Sequence, residues 1–166
     1  MIQIHFVTPA SGIKIRFIGT IDLGKFYKYI KLYLQDRDFA KETNLEKEYI
    51  ERVKPNGKQI EAIWECGKIV NDYIKYKIKI SYLMVGVNEV EVQKENFKLK
   101  LYKGDFQVII VAYVEEGSEK WDELGVIAKL YKKLIAKQRI EDYKNELYDE
   151  ILKLSKYIKG FLELRS

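Results

Sequence analysis

The chain has 166 residues, of which 47% are apolar and 33% are charged. This apolar fraction is large enough to build a core, and a single domain over residues 1–166 is expected. One cysteine excludes an internal disulfide, and the longest apolar run, Val108 to Val114, is too short to span a bilayer, so a cytoplasmic protein with no membrane partner is expected. The net charge of +5 favours acidic partners, nucleic acid above all, and the many Lys and Glu residues are typical of thermophilic proteins.

The first third of the chain predicts two strands and a short helix. Ile2 to Val7 and the alternating Ile13 to Phe17 are the strands. Asp22 is placed as an N-cap, because its carboxylate can accept from the free amides of the next turn. The helix that follows carries an apolar stripe at helical spacing: Leu23, Phe26, Tyr27, Ile30 and Leu34. The polar segment from Asp36 to Leu45 predicts a loop.

The middle of the chain has a period of two and predicts an antiparallel meander. Pro55-Asn56-Gly57 is expected to be a tight hairpin turn, Gly86 a bulge or a bend, and Lys103-Gly104-Asp105 a second turn. Trp64 and Cys66 share one face of a strand. The predicted strands are 49–53, 59–66, 72–82, 89–92, 97–101 and 106–114.

From Trp121 to Leu164 the period changes to about three and a half, which predicts a long helix, bent near Lys137 to Arg139, or two helices. An apolar stripe marks its first part: Leu124, Ile127, Ala128, Tyr131, Leu134 and Ile135. Four residues repeat every seven positions in its second part: Ile140, Leu147, Leu154 and Phe161.

These elements predict an α+β fold: an antiparallel β-meander sheet with a short N-terminal helix and a long C-terminal helix, or bent helix pair, packed on one face. The apolar side of the meander must be covered, and these helices are the elements long enough to cover it.

Catalytic machinery is not indicated, and the chain is not expected to be an enzyme or to carry a cofactor. Nucleophilic catalysis would need a base beside the nucleophile, and the only histidine, His5, lies in a predicted strand. One histidine and one cysteine do not build a zinc site, so no metal is expected. The glycines from Gly19 to Gly24 lack a phosphate-binding pattern. An alternative is a carboxylate enzyme that uses residues from separate elements: Glu61, Glu65, Asp72 and Asp105.

The basic surfaces predict a binding or assembly protein for RNA or a ribonucleoprotein. A helical cluster with no acidic residue inside it is the favoured phosphate site: Lys129, Lys132, Lys133, Lys137 and Arg139. The first helix adds Lys25, Lys28 and Lys31. Tyr29 and Tyr33 beside them are candidates for base stacking or for a protein interface, and the commoner alternative is that they are boundary residues that lie on neighbouring strands. A second basic surface is predicted on the wet face of the sheet, partly neutralised by Glu61 and Glu65: Lys75, Lys77, Lys79, Lys98 and Lys100.

Two further interpretations remain open. The order strand, helix, meander and long helix resembles the helix-grip fold of START-like carriers, which implies a carrier of an apolar small molecule between sheet and helix. The C-terminal helix is also a candidate surface for a homodimer, because Tyr148 and the end of the helix are expected to extend past the sheet.

A second resemblance covers Trp64 to Leu162, which is similar to a group of small uncharacterised archaeal proteins. It implies a lineage and no catalytic residue. The residues that carry it are Trp64-Glu65, Lys68, Val70, Asp72-Tyr73, Lys75-Tyr76, Lys103-Gly104-Asp105, Tyr131, Arg139-Ile140, Tyr143, Leu147-Tyr148, Ile158-Lys159 and Phe161-Leu162.

Overall fold

A computed structural model of the protein describes residues 2–40, 45–117 and 125–164. Within these ranges the chain forms six strands and two helices, with all strand pairs antiparallel, which confirms the predicted α+β class. In chain order the elements are β1 (Gln3–Phe6), β2 (Ile13–Ile21), α1 (Leu23–Asp36), β3 (Glu46–Lys54), β4 (Gly57–Ile69), β5 (Ile74–Lys94), β6 (Phe97–Glu116) and α2 (Val126–Leu164).

The sheet has the strand order β1-β6-β5-β4-β3, and β2 also pairs with β6. β1 lies along Tyr113 to Glu116 of β6, and β2 lies along Tyr102 to Ile110 of the same strand. The two N-terminal strands therefore share one edge of β6, while β3 forms the opposite edge of the sheet.

Both helices pack on one side of the sheet, which we call the inner face; the opposite side is the outer face. Phe26 of α1 is fully buried and its ring lies 6.4 Å from Tyr82 of β5 and 5.4 Å from Phe161 of α2. Leu147 and Ile151 of α2 are buried in the same core. The predicted packing of helices on one face is confirmed.

Three local sequence signals are found where they were predicted. Asp22 caps α1, because its Oδ1 accepts from the backbone N–H of Lys25 at 3.1 Å. Gly57, at a φ of 126°, closes the β3–β4 hairpin opposite Lys54. Gly86, at a φ of 63°, lies where the β5–β6 register shifts between Val85 and Asn88. Such backbone angles favour glycine, which has no side chain to clash.

The predicted turn at Lys103-Gly104-Asp105 is wrong, because these residues lie inside β6. A Cβ on Gly104 would lie 3.1 Å from the carbonyl oxygen of Val85 and 3.2 Å from Val87. The glycine allows β6 to pass close to the bulge of β5, so its reason is a neighbouring strand and not a reversal of the chain.

The predicted polar loop from Asp36 to Leu45 is only partly polar. Phe39, Ala40 and Leu45 are buried, and residues 41–44 lie outside the described part of the chain. The carbonyls of Phe39 and Leu45 accept from the backbone N–H groups of Gly67 and Glu65, at 3.0 and 3.1 Å. Phe39 and Leu45 therefore continue the hydrogen bonding along the edge of β4, beyond the end of β3.

α2 is one continuous helix, so the alternative of two helices is wrong; the predicted start at Trp121 and Leu124 lies outside the described residues. The residues that repeat every seven positions from Ile140 to Phe161 are buried, as predicted. The prediction that the end of this helix extends past the sheet is wrong, because Ile158, Phe161 and Leu162 are buried in the core. Ile127 and Leu134, predicted to cover the sheet, are instead 84% and 73% exposed. Tyr143 already contacts Tyr76 and Asn71 at the start of β5, so the residues before it run past the end of the sheet.

Candidate nucleic-acid interface

Four residues in direct register form a row across the outer face of four neighbouring strands. Gly67 of β4 lies opposite Lys77 of β5, Lys77 lies opposite Tyr113 of β6, and Tyr113 lies opposite Phe6 of β1. We call these residues the outer row. Since adjacent strands are about 4.8 Å apart, the row is about 14 Å wide.

The glycine of the outer row fixes the position of the lysine. A Cβ on Gly67 would lie 2.8 Å from the carbonyl oxygen of Tyr76 and 3.1 Å from Cδ of Lys77. The alkyl stem of Lys77 therefore lies over the Gly67 backbone, in the space that any other side chain would occupy. This packing holds the stem, and Lys77 as a whole is half-buried.

The two rings of the outer row lie edge to face at its β1 end. The centroids of Phe6 and Tyr113 are 5.7 Å apart with an interplanar angle of 60°, and Phe6 is 53% exposed. Partial burial, with Glu115 and Glu65 nearby, raises the pKa of the Tyr113 phenol, so it stays neutral at physiological pH. A neutral ring pair with one exposed and one half-buried member can stack on nucleic-acid bases.

Two more lysines of β5 flank the row on the outer face. Lys75 lies opposite Glu115, and Lys79 lies opposite Glu65. The second pair is the one expected if Glu65 partly neutralises the charge of the β5 lysines. Within the described ranges, Lys75, Lys77 and Lys79 have no carboxylate oxygen within ion-pair distance. Lys77 has Gly67 and Tyr113 as its two cross-strand neighbours, so it has no acidic residue directly opposite.

Other members predicted for the sheet surface lie elsewhere. Glu61 lies opposite Leu83 and accepts from Nε2 of Gln59 at 2.9 Å, so it does not neutralise a lysine of β5. Because β6 is continuous, Lys98 and Lys100 have the parity of the inner-face residues Phe106 and Val108, and Lys100 pairs with Glu89 at 3.6 Å. The prediction that Lys98 and Lys100 join Lys75, Lys77 and Lys79 on one face is therefore wrong. The error follows from the turn predicted at Gly104.

A groove of about 670 Å³ adjoins the outer row at the β4 side. Five of its fifteen described lining residues are lysines and two are aromatic, with Asp38 and Glu65 as its acidic members. Lys68 is held there with its Nζ 5.7 Å from the ring centroid of Phe39. The basic and aromatic residues that line the groove are Phe39, Lys47, Lys68, Lys75, Lys77, Lys79 and Tyr113.

The predicted helical clusters are two separate surfaces. Lys129, Lys133 and Arg139 are exposed on the first part of α2, and Lys132 and Lys137 belong to the same helix. Lys25, Lys28 and Lys31 are exposed on α1. α1 meets α2 much later along that helix, at Tyr157 and Phe161, so the structure does not bring the two clusters together.

The tyrosines of α1 pack against α2 and do not form an open surface. Tyr29 stacks on Tyr157 of α2, with centroids 3.9 Å apart and planes 8° from parallel, and Tyr33 lies 4.4 Å from the same ring. Arg37 lies 5.0 Å from the Tyr33 ring and pairs with Glu150 at 3.1 Å. Of the alternatives for Tyr29 and Tyr33, open stacking surfaces beside the α1 lysines are therefore wrong; both are packed boundary residues, although their neighbour is α2 and not a strand.

The residues considered for catalysis are held in separate structural contacts. His5 pairs with Glu116 at 2.8 Å, while Cys66 lies on β4, separated from β1 by two strands. Burial raises the pKa of the Cys66 thiol to about 12, which suppresses the reactive thiolate at neutral pH. Asp105 is held by Arg16 at 2.6 Å. No group of three or more metal-ligating side chains occurs among the residues that the structure describes.

The region between sheet and helices, where an apolar ligand was predicted to bind, contains a cluster of contacting rings. Tyr82 contacts Tyr27 at 5.2 Å and Trp64 at 4.9 Å, in addition to Phe26. This packing gives the carrier hypothesis no support at the centre of the inner face.

The outer row was missed by sequence reasoning. The alternation along β6 indicates which residues share a parity with Tyr113, but not which strand lies beside it. Phe6, Gly67 and Tyr113 come from three elements far apart in sequence, and only the register brings them together.

The chain matches no protein-family model, no curated protein and no solved structure. The resemblances to archaeal proteins and to START-like carriers therefore stay predictions. In the described part of the chain, neither helix has a stretch apolar and long enough to cross a membrane.

Proposed function

We propose that the protein is a non-catalytic RNA-binding protein that holds single-stranded RNA on the outer face of its sheet. The observation that carries this proposal is the outer row, in which one lysine and two rings lie in register across neighbouring strands. Lysines bind phosphates, and exposed rings on an open antiparallel sheet stack bases.

The shape of the surface favours an extended polymer over a single small anion. Lys75, Lys77 and Lys79 alternate along β5, so their attachment points span about 14 Å along the strand. The rings of Phe6 and Tyr113 lie on the β6 and β1 side of this line, and the groove, which Tyr113 also lines, extends to the β4 side. A strand of RNA crossing the sheet would meet charge and stacking surface together, whereas one phosphate would use a single lysine.

The clusters on α1 and α2 are the alternative site for the same function. They supply exposed cations, but the tyrosines of α1 are engaged with Tyr157. Lysines with no free ring beside them can bind phosphates nonspecifically, but they offer the bases no stacking surface. We therefore place the bases on the outer face.

The test is a fluorescence-anisotropy titration of a labelled twelve-nucleotide oligouridine at 50 and 200 mM KCl. The triple variant Lys75→Ala, Lys77→Ala and Lys79→Ala is expected to weaken binding at 50 mM at least tenfold. It should also reduce the slope of log affinity against log salt by about 2, since each lost phosphate contact contributes about 0.7 on single strands. Tyr113→Leu should weaken binding about fivefold or more with the salt slope unchanged, because stacking releases no counterions.

Two matched triple variants remove the same charge from other surfaces: Lys25→Ala, Lys28→Ala and Lys31→Ala on α1, and Lys129→Ala, Lys133→Ala and Arg139→Ala on α2. Each is expected to change the affinity less than threefold. No binding by the unmodified protein overturns the proposal. A tenfold loss in a helical variant, with the β5 variant unchanged, moves the function to the helices and overturns the assignment to the outer face.

A further inference from the structure

The first part of α2 carries an apolar face that the rest of the molecule leaves exposed. Val126, Ile127, Leu130 and Leu134 are between 58% and 84% exposed, whereas Ile140 is buried. Four large apolar residues on three turns of a projecting helix are more than scattered surface residues, and such a patch marks an interaction site.

This face continues along the helix beyond the point where α2 meets the sheet. A rotation of 100° per residue places Tyr148 and Leu152 on the same side as Leu130 and Leu134. Tyr148 and Leu152 are 41% and 38% exposed. α1 contacts α2 through Tyr157, on another side of the helix, so it does not cover this stripe. The stripe, residues 127–152, is therefore apolar at both ends, and the same rotation places the polar residues Glu141 and Asn145 between them.

The charge of α2 changes sign midway along the helix. Residues 126–140 contain basic residues and no acidic residue, and residues 141–150 contain five acidic residues and one basic residue, Lys144. The basic residues are Lys129, Lys132, Lys133, Lys137 and Arg139, and the acidic residues are Glu141, Asp142, Glu146, Asp149 and Glu150.

We infer that the stripe binds a second copy of the chain, with the two α2 helices antiparallel and crossing near residues 139 and 140. This arrangement places Ile127 of each helix beside Leu152 of the other. It also lays each basic segment along the acidic segment of its partner, with the helix dipoles opposed. A parallel pair would place basic beside basic and acidic beside acidic, so the charge pattern selects the antiparallel order and the second copy as occupant.

The test begins with the mass of the unmodified chain in solution, by light scattering at concentrations from 1 to 200 μM. A dimer doubles the monomer mass of 19.7 kDa. The variant Leu130→Glu with Leu134→Glu is expected to be a folded monomer over the whole range. Leu32→Glu, at a residue of α1 that is 51% exposed, is the matched control and should still dimerise. A monomer at every concentration, or a dimer that survives Leu130→Glu with Leu134→Glu, overturns the inference.

Orientation is tested by disulfide crosslinking in a Cys66→Ala background. Mixing Ile127→Cys protein with Leu152→Cys protein should give a crosslinked pair under mild oxidation, while each variant alone should give little. Strong crosslinking of Ile127→Cys to itself would mean a parallel pair and would overturn the antiparallel arrangement. Neither result depends on RNA, so this inference and the proposed function fail independently.

Discussion

The two faces of the sheet come from the same strands and differ in almost every physical respect. On the inner face, Tyr76, Ile78, Ile80 and Tyr82 of β5 are at most 3% exposed and packed beneath the helices. The residues between them, such as Lys77 and Lys79, point to the outer face and keep their charge at the surface. One face thus holds the fold together and the other is left for binding, which predicts that substitutions on the two faces have different effects.

The largest difference is expected between two phenylalanines. Phe26 is fully buried against Tyr82 and Phe161, so Phe26→Ala should lower the free energy of unfolding by about 3–5 kcal/mol, through lost burial and the cavity left behind. Phe6 is half exposed on the outer face, so Phe6→Ala should change the free energy of unfolding by about 0.5 kcal/mol or less. Urea unfolding followed by circular dichroism measures both. Equal losses would contradict the division between the faces.

A smaller effect of opposite sign is expected at Tyr82. Its hydroxyl is buried and has no hydrogen-bond partner among the described residues, and burial raises its pKa well above the usual value. Since an unpaired buried hydroxyl is costly, Tyr82→Phe should raise the free energy of unfolding by about 1 kcal/mol. Tyr27→Phe is the control, because the Tyr27 hydroxyl donates to Sδ of Met84 at 3.8 Å and its loss should give no gain. A destabilised Tyr82→Phe protein would show that the hydroxyl has a partner.

The smallest effect is expected for the ion pair on the outer face. Hydrogen bonding to Arg16 holds the pKa of the Asp105 carboxyl below its usual value. A lowered folded-state pKa stabilises the protein above the ordinary value near 4, and this contribution is lost as the pH falls through the folded-state value. The melting temperature of Asp105→Asn should therefore fall less than that of the unmodified protein between pH 5 and pH 2. Parallel curves for the two proteins would contradict a native role for the pair.

The elements that the sequence predicts correctly are those with local causes. Asp22 caps a helix because of the three residues after it, and Gly57 closes a hairpin because of the turn itself. The buried face of α1, with Phe26 and Ile30, follows from helical spacing alone. Fold class and helix packing could therefore be predicted without knowledge of the register.

The errors arise where the cause lies on another strand. Gly104 has the composition of a turn, but the bulge of β5 opposite it is the reason for the glycine. The candidate site has the same difficulty, because Phe6 and Tyr113 are far apart in sequence and meet only through β-pairing. Exposure of Ile127 likewise depends on where the sheet ends, which no helical pattern reports.

Both N-terminal strands, β1 and β2, pair with β6, which is made late in the synthesis of the chain. Ile13 pairs with Ile110, so β2 is made on the order of 100 residues before its partner emerges from the ribosome. At translation rates of about 5–20 residues per second, β1 and β2 remain unpaired for roughly 5–20 seconds before β6 is available. Their exposed backbone amides during this interval make the nascent N-terminal segment a natural client for chaperones, and the high contact order makes the final closure of the sheet slow.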